Sequence, residues 1–358
     1  MASTKRTTLK DIAELAKVST GTVSMVLNNN PLVAEDTREH VLRVIRESDY
    51  VYDRRAAQLR TGRSSIVGGA VCNLLNPYFA EVAAGMEAAL DSAGQRLVLG
   101  NASESVERQE RFLETLREYN VDGILWMPSI GTKSAEVRRV LEWGTPVVMV
   151  TRYVSKVEAD YIGTDNRLAS VLATEHLIEL GHRRIAFLGA DARTSSGHDR
   201  MVGYRASLKK AGLPLLPEYE VKCEATREDA FHSIQTLFTL PEPPTAVVCF
   251  NDFLAFGAML GLQRLGLEPG RDCSVVGMDD MREAALWQPA LTTVAIDADG
   301  IGRGAVELLA QRMKNPQAPV QRVLFTPRLV VRESCAPPPP ERTLKPAEKR
   351  RRAAVTAN

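Results

Sequence analysis

The chain has 358 residues, 44% of them hydrophobic and 25% charged, which fits a globular protein of two or three domains and leaves no case for a disordered or fibrous chain. Its net charge of +1 hides an asymmetry: residues 1–63 carry 11 basic and 8 acidic side chains, residues 341–358 carry 6 and 2, and the stretch between is net negative. A basic head on an acidic body suits a polyanionic partner for the head. No run of about 18 apolar residues argues for a transmembrane helix. "MASTKRTTLKD" has no apolar core, and Cys72, Cys223, Cys249, Cys273 and Cys335 lack CxxC spacing. The expectation is a cytoplasmic protein with reduced thiols, no leader, no membrane partner and no cysteine-bound metal.

The first elements lie in "TLKDIAELAKVSTGTVSMVLNNN". Leu9, Ile12, Ala13 and Ala16 form one helical stripe, Val18 closes a tight turn, and Ser19 is placed to cap a second helix. Val23, Val26 and Leu27 pack back on the first helix, which leaves Thr20, Gly21, Thr22, Ser24, Met25 and Asn28 on the outer face. Small polar side chains and backbone N–H groups at a helix start suit close approach to phosphates and base edges. The pattern predicts a helix-turn-helix whose second helix enters a major groove; spacing alone also allows the solvated face of a three-helix core. A third helix follows in "AEDTREHVLRVIRESDY", with Val41, Val44 and Ile45 inward.

From Ser64 onward, short β-rich runs alternate with amphipathic stretches. "IVGGAVCN" precedes "YFAEVAAGMEAALDSAG", whose Phe79, Val82, Met86, Ala89 and Leu90 share a face and whose Gly94 ends it. "RLVLGNA", "RQERFLETLREYN", "VDGILWMPS", "SAEVRRVLEWG" and "PVVMVTR" continue the alternation. A second series opens at "DYIGTD" and runs through "CSVVGMDD", and "LTTVAID", "DGIGRGAVELLAQRM" and "RVLFTPRLVVRES" close it. Alternating apolar strands and helices predict parallel sheets covered on both faces, and their length predicts two α/β lobes with a ligand crevice at the strands' carboxyl ends. The chain lacks GxSxG, GxxxxGK[ST], HExxH and a GxGxxG after a strand, so an enzyme is not expected, and neither a cofactor nor a metal site. His182 follows Gly181, a C-cap position where a histidine suits the helix dipole, and is read as structural. Asp279-Asp280 suits a metal, acid–base work or the hydroxyls of a ligand.

Together these segments resemble the lactose-repressor (LacI/GalR) family of bacterial transcription regulators over residues 7–333. "TLKDIAELAKVSTGTVSMVLN" resembles its N-terminal signature and "TREHVLRVIRESDYVYDRRAAQLRTGRS" its third helix and hinge. "NPYFAEV", "VDGILW", "EHLIELGHRRIAFLG", "GYRASLKKAGL", "PTAVVCFND", "SVVGMDD" and "LTTVAID" match its core signposts in order. The apolar residue at Met25 is similar to that of maltose-regulon repressors. The resemblance implies an all-α headpiece (1–49), a hinge (50–63) and a two-lobed α/β core like periplasmic binding proteins (64–334); the Pro-rich basic tail (335–358) has no heptads and is expected from its composition to lack ordered structure. It implies a homodimer on a pseudo-palindromic operator, most simply a repressor, controlled by a small sugar-like effector. A phosphorylated or acidic corepressor is the alternative, and a transport-type sugar-binding protein a remote one.

The DNA-facing residues it implies are Thr8, Leu9, Ser19, Thr20, Gly21, Thr22, Ser24, Met25, Asn28, Tyr50, Arg54, Arg55, Ala56 and Leu59, with Leu59 as a minor-groove wedge. The effector residues it implies are Asn76, Tyr78, Phe79, Thr151, Arg152, Arg200, Asn251, Asp279 and Trp287. The chain departs from the pattern in places. Met25 stands where relatives often carry an arginine that grips guanine, so readout is expected from Thr20 and Ser24. Ala34 replaces a common Ser cap, for which Asp36 or Thr37 is a candidate substitute. Thr151 replaces a common Asp, which removes a carboxylate acceptor from the cleft.

Overall fold

The computed structural model describes residues 7–27, 30–48, 50, 63–189 and 192–339. Two compact units result, Met1–Ser64 and Ser65–Asn358. The first holds α1 (Leu9–Leu15), α2 (Thr20–Leu27) and α3 (Glu35–Glu47). Thr8 and Asp11 cap α1 reciprocally: Thr8 Oγ1 accepts from Asp11 N–H at 3.3 Å, and Asp11 Oδ2 accepts from Thr8 N–H at 2.7 Å. Lys17 turns the chain at φ 52°, and Ser19 Oγ then accepts from Thr22 N–H at 3.0 Å, the cap expected for α2. No side-chain hydrogen bond caps α3 at Ala34; Glu35 and Asp36 instead place negative charge against its positive end. Ile12, Ala13, Ala16, Val23, Val26, Val33 and Val41 form the small core, with Leu9, Leu27, Val44, Ile45 and Tyr50 packed against it.

The second unit contains two six-stranded sheets. The first is built from β1 (Ile66–Val71), β2 (Arg96–Asn101), β3 (Gly123–Trp126), β4 (Val147–Val150), β5 (Asp160–Thr164) and β11 (Arg322–Phe325), all parallel, in the order β11-β5-β4-β3-β1-β2. The second is built from β6 (Ile185–Leu188), β7 (Glu220–Val221), β8 (Ala246–Cys249), β9 (Ser274–Asp279), β10 (Thr292–Ala295) and β12 (Arg328–Val330), in the order β12-β10-β9-β8-β6-β7, with β12 alone antiparallel. Every residue of β3, β4, β6 and β8 is buried, as strands covered by helices on both faces require.

The lobes are not consecutive in sequence. The chain leaves the first sheet after β5, returns after β10 and leaves again between β11 and β12. The returning helix α11 (Ala298–Lys314) packs on α4 (Pro77–Ser92) of the first lobe. Glycines allow that approach: a Cβ on Gly85 would stand 2.5 Å from Asp299 O, and one on Gly302 2.2 Å from Val82 O. "RVLFTPRLVVRES", read as one closing element, is two strands in two sheets, separated at Thr326-Pro327. The expectation of an unstructured tail from residue 335 fails for its first five residues. Ala336 N–H donates to Ser274 Oγ at 3.1 Å, and Ala336 O accepts from His182 Nε2 at 2.9 Å. His182 is wholly buried, also meets Thr245 Oγ1 at 2.9 Å, and is held below its ordinary pKa by that burial, a structural role. Residues 340–358 lie outside the described residues.

Candidate ligand cleft and nucleic-acid interface

Both sheets send the carboxyl ends of their strands toward one cleft, the expected place for a ligand in open α/β sheets. After β1, Asn76 caps α4, its Oδ1 accepting from Tyr78 N–H at 3.1 Å. Tyr78 and Phe79 follow in the first turn, their rings edge to face at 5.3 Å. After β4 comes Thr151 at φ 61°, a left-handed conformation that a β-branched residue adopts only under constraint. Its Oγ1 is buried with no hydrogen-bond partner. Arg152 follows, donating to Glu104 Oε1 at 3.0 Å and Pro128 O at 3.3 Å, with its guanidinium over the Phe79 ring at 5.2 Å.

The opposite wall centres on Arg200 of α8 (Ser195–Lys210). Its Nε donates to Asn166 Oδ1 at 2.8 Å, Nη1 donates to Phe250 O, and Nη2 lies 3.7 Å from Asp279 Oδ1. The guanidinium also stacks over the Phe250 ring at 4.5 Å. Asn251 caps α10 (Asp252–Arg264), its Oδ1 accepting from Leu254 N–H at 3.0 Å. Burial pushes the Asp279 carboxyl up and the Arg200 guanidinium down, and each opposes the shift in the other. Asp279 and Asp280 both have positive φ, 127° and 56°. Beneath them, buried Asp252 accepts from Met281 N–H at 2.8 Å and from Thr293 Oγ1.

Eight of the nine expected cleft residues thus line one small cavity of about 20 Å³, together with Asn166, Ser196 and Phe250. Ser196 was legible once Arg200 was named, one helical turn away on the same face. Asn166 and Glu104 carried no such signal, because their partners are distant in sequence. Trp287 is a correction: its ring stacks on Phe256 at 4.5 Å and 23° and does not line the cavity, because the apolar cluster of the second lobe claims it.

In the first unit, Ser19, Thr20, Gly21 and Met25 are exposed and Thr22 is half-buried. Ser24 is a second correction: it is 6% exposed. The eight-residue α2 packs on both α1 and α3, so its buried face is wider than one stripe and takes in the small serine. Thr8 is exposed, while Leu9 and Tyr50 lean on the core. Asn28, Arg54, Arg55, Ala56 and Leu59 lie outside the described residues. Among the described residues no helix is long and apolar enough to cross a membrane, and no three His, Cys, Asp or Glu side chains gather to hold a metal. Burial pushes the Cys72 thiol up to about 12 and the Cys335 thiol to about 11, which keeps both protonated.

A helix-turn-helix unit joined in one chain to a two-lobed α/β unit with a polar cleft defines a DNA-binding regulator that carries its own ligand receptor. Residues 8–53 match the model of bacterial regulatory proteins of the lacI family, and residues 174–335 that of a periplasmic binding protein-like domain. The ribose operon repressor of Haemophilus influenzae is 34% identical over 91% of this chain and 98% of its own. The HTH-type transcriptional repressor PurR of Erwinia tasmaniensis is 33% identical over 93% and 98%. The lac repressor dimer bound to operator and the anti-inducer ONPF superposes with a TM-score of 0.83 at 27% identity, over 93% of this chain and all of that one. The chain belongs to the lacI family of bacterial regulatory proteins. These relatives lend no support to a maltose-regulon branch.

Proposed function

We propose that this chain is a dimeric, operator-binding repressor of the cytoplasm, with no catalytic chemistry, whose DNA affinity is set by a sugar-like effector held between its lobes. The carrying observation is the Arg200 cluster: a buried guanidinium fixed by Asn166, Phe250 O and Asp279 beside two helix-capping asparagines. Such a group presents donors and acceptors already oriented for ring hydroxyls. An effector acts here only through differential affinity for two arrangements of the lobes, and a swing from 1:99 to 99:1 needs roughly 5.5 kcal/mol.

On the DNA side, the exposed Ser19, Thr20, Gly21 and Met25 present small hydroxyls, backbone and one apolar side chain. Methionine offers an apolar contact, such as to a thymine methyl, in place of a two-bonded grip on guanine. Arg54, Arg55 and the Leu59 wedge belong to this reading by sequence resemblance alone. The test is selection from a random duplex pool at about 150 mM salt, which suppresses purely electrostatic binding. A palindrome of two half-sites is expected, with DNA binding that ribose or another sugar of a panel changes. Recovery of no shared site, with and without the sugar panel, would sink the reading.

A further inference from the structure

The regulator reading above gives no task to Asp252, the first residue of α10. Its side chain is wholly buried, and it does not line the cleft cavity. Arg200 and Arg332 pair with Asp279 and Asp280, and among the described residues no cation pairs with Asp252. A buried carboxylate without a cation is costly unless donors hold it. Two do: Met281 N–H donates to Oδ2 at 2.8 Å, and Thr293 Oγ1 donates to Oδ1 at 2.5 Å. The positive end of α10 adds to the field at this place. Room for the carboxylate comes from Gly277 of β9, the register partner of Thr293, where a Cβ would stand 2.1 Å from Asp252 Oδ1.

What Asp252 grips is the end of a strained turn. Asp279 and Asp280 are consecutive non-glycine residues at φ 127° and 56°, and Met281 follows directly. Such a conformation persists only where the surroundings hold it. Two contacts hold this one, from different elements. Arg332, just after β12, donates to Asp280 Oδ1 at 2.7 Å and to Leu291 O at 2.9 Å. Asp252 takes the backbone N–H of Met281 from below. The Arg332 contact is partly exposed, which lets water compete for it. The Asp252 contact is buried, where breaking it strands an N–H without a partner. The turn decides where the Asp279 carboxylate stands, and it stands in the cleft wall, 3.7 Å from Arg200 Nη2.

We infer that Asp252 is a positioning residue of the cleft: its grip on Met281 N–H holds the Asp279-Asp280 turn in the left-handed region and so keeps the Asp279 carboxylate against Arg200. It sets sugar affinity in this way without facing the sugar. The consequence for affinity rests on the ligand-receptor reading of the same unit; the hold on the turn does not. The role belongs to the acceptor oxygen and not to the charge. Asparagine at 252 keeps an oxygen for Met281 N–H and turns its amide to Thr293 Oγ1, whereas alanine offers neither.

The experiment is crystallography of the full chain as wild type, Asp252→Ala and Asp252→Asn, paired with calorimetric titration of ribose and the sugar panel. In Asp252→Ala, Asp279 is expected to leave positive φ and its carboxylate to leave Arg200; in Asp252→Asn both are expected to stay. Should the alanine variant not fold, Asp252→Ser, whose hydroxyl is too short to reach Met281 N–H, carries the same expectation. Sugar is expected to bind the alanine variant about tenfold more weakly and the asparagine variant within about threefold of wild type, a rescue by the neutral isostere. In an Asp279→Asn background, Asp252→Ala is expected to cost no further affinity, because its effect runs through Asp279; an aspartate that only stabilises the fold would cost the same in both backgrounds. Asp279 unmoved beside Arg200 in the alanine variant, or an equal loss of affinity in both backgrounds, overturns the positioning role. Wild type that binds no sugar of the panel removes the receptor reading alone, and the variant structures then decide the role of Asp252.

Discussion

The two lobes meet the cleft with walls of different finish. At the cleft, these polar groups of the second lobe are bound to one another: Arg200 is engaged by Asn166, Phe250 O and Asp279, and Asp252 by Met281 N–H and Thr293. On the first lobe, Thr151 and Ser129 keep buried hydroxyls without partners, and Thr151 sits in a left-handed conformation. A closed network gives orientation and specificity, because breaking it strands a buried charge. Unsatisfied groups store a cost that a ligand relieves. On the proposed ligand reading, the second lobe is the fixed template and the first is the lobe that gains when a ligand arrives.

The largest expected effect comes from breaking the template. Arg200→Ala leaves Asp279 buried without its partner, and a loss of roughly 3–5 kcal/mol in urea unfolding is expected, with sugar response abolished. Unchanged stability would show that Asp279 takes up a proton or has another counter-charge. A pH series on Asp252 sharpens the same point. Burial raises its carboxyl from 3.8 to about 7. The folded state then holds the proton more tightly than the unfolded one, so this group's stabilisation is full below the unfolded value and is lost as pH rises toward 7. Asp252→Asn removes that titration. The stability of wild type relative to the variant is expected to fall between pH 4 and 7, by up to about 1.4 kcal/mol per pH unit; a constant difference would show that Asp252 is already ionised at pH 4.

The first lobe predicts the opposite sign. Thr151→Val keeps shape and branching and removes the orphan hydroxyl, so the ligand-free protein is expected to gain on the order of 1 kcal/mol and to bind its sugar more weakly. A destabilised variant would show that the hydroxyl has a partner. The smallest effect is expected from Tyr153→Phe, which removes the bond from Tyr153 Oη to Asp199 across the lobes. Stability should change by less than about 1 kcal/mol, while small-angle scattering should show a more open second unit. An unchanged radius would assign closure to the Tyr153 N–H bond to Ser195 alone.

Much of this was legible in the chain. The period of apolar residues marked α1, α2 and α3, and Ser19 and Thr8 stood at cap positions because capping is a local interaction. The alternation of buried strands and amphipathic helices gave two parallel sheets. Asn76, Arg200, Asn251 and Asp279 stood at strand ends or in the first turns of helices, where α/β folds bind ligands, so motif and topology agreed. Ser24 and Trp287 misled for the same reason: a helical wheel and an aromatic side chain do not say which neighbour will cover them.

The sequence by itself determined the kinds of elements, their order and the chemistry of the cleft, since these follow from local periodicity, capping and residue type. Only the tertiary structure decided which lobe each late segment serves. α11 crosses back to lie on α4 through the Gly85–Gly302 approach, and "RVLFTPRLVVRES" splits between two sheets. Only the tertiary structure set Glu104 against Arg152, Asn166 against Arg200 and Ala336 against His182. Each is a pairing of residues 34 to 154 positions apart. Such pairs are chosen by what the packed chain leaves within reach of a buried polar group, and no local pattern encodes that choice.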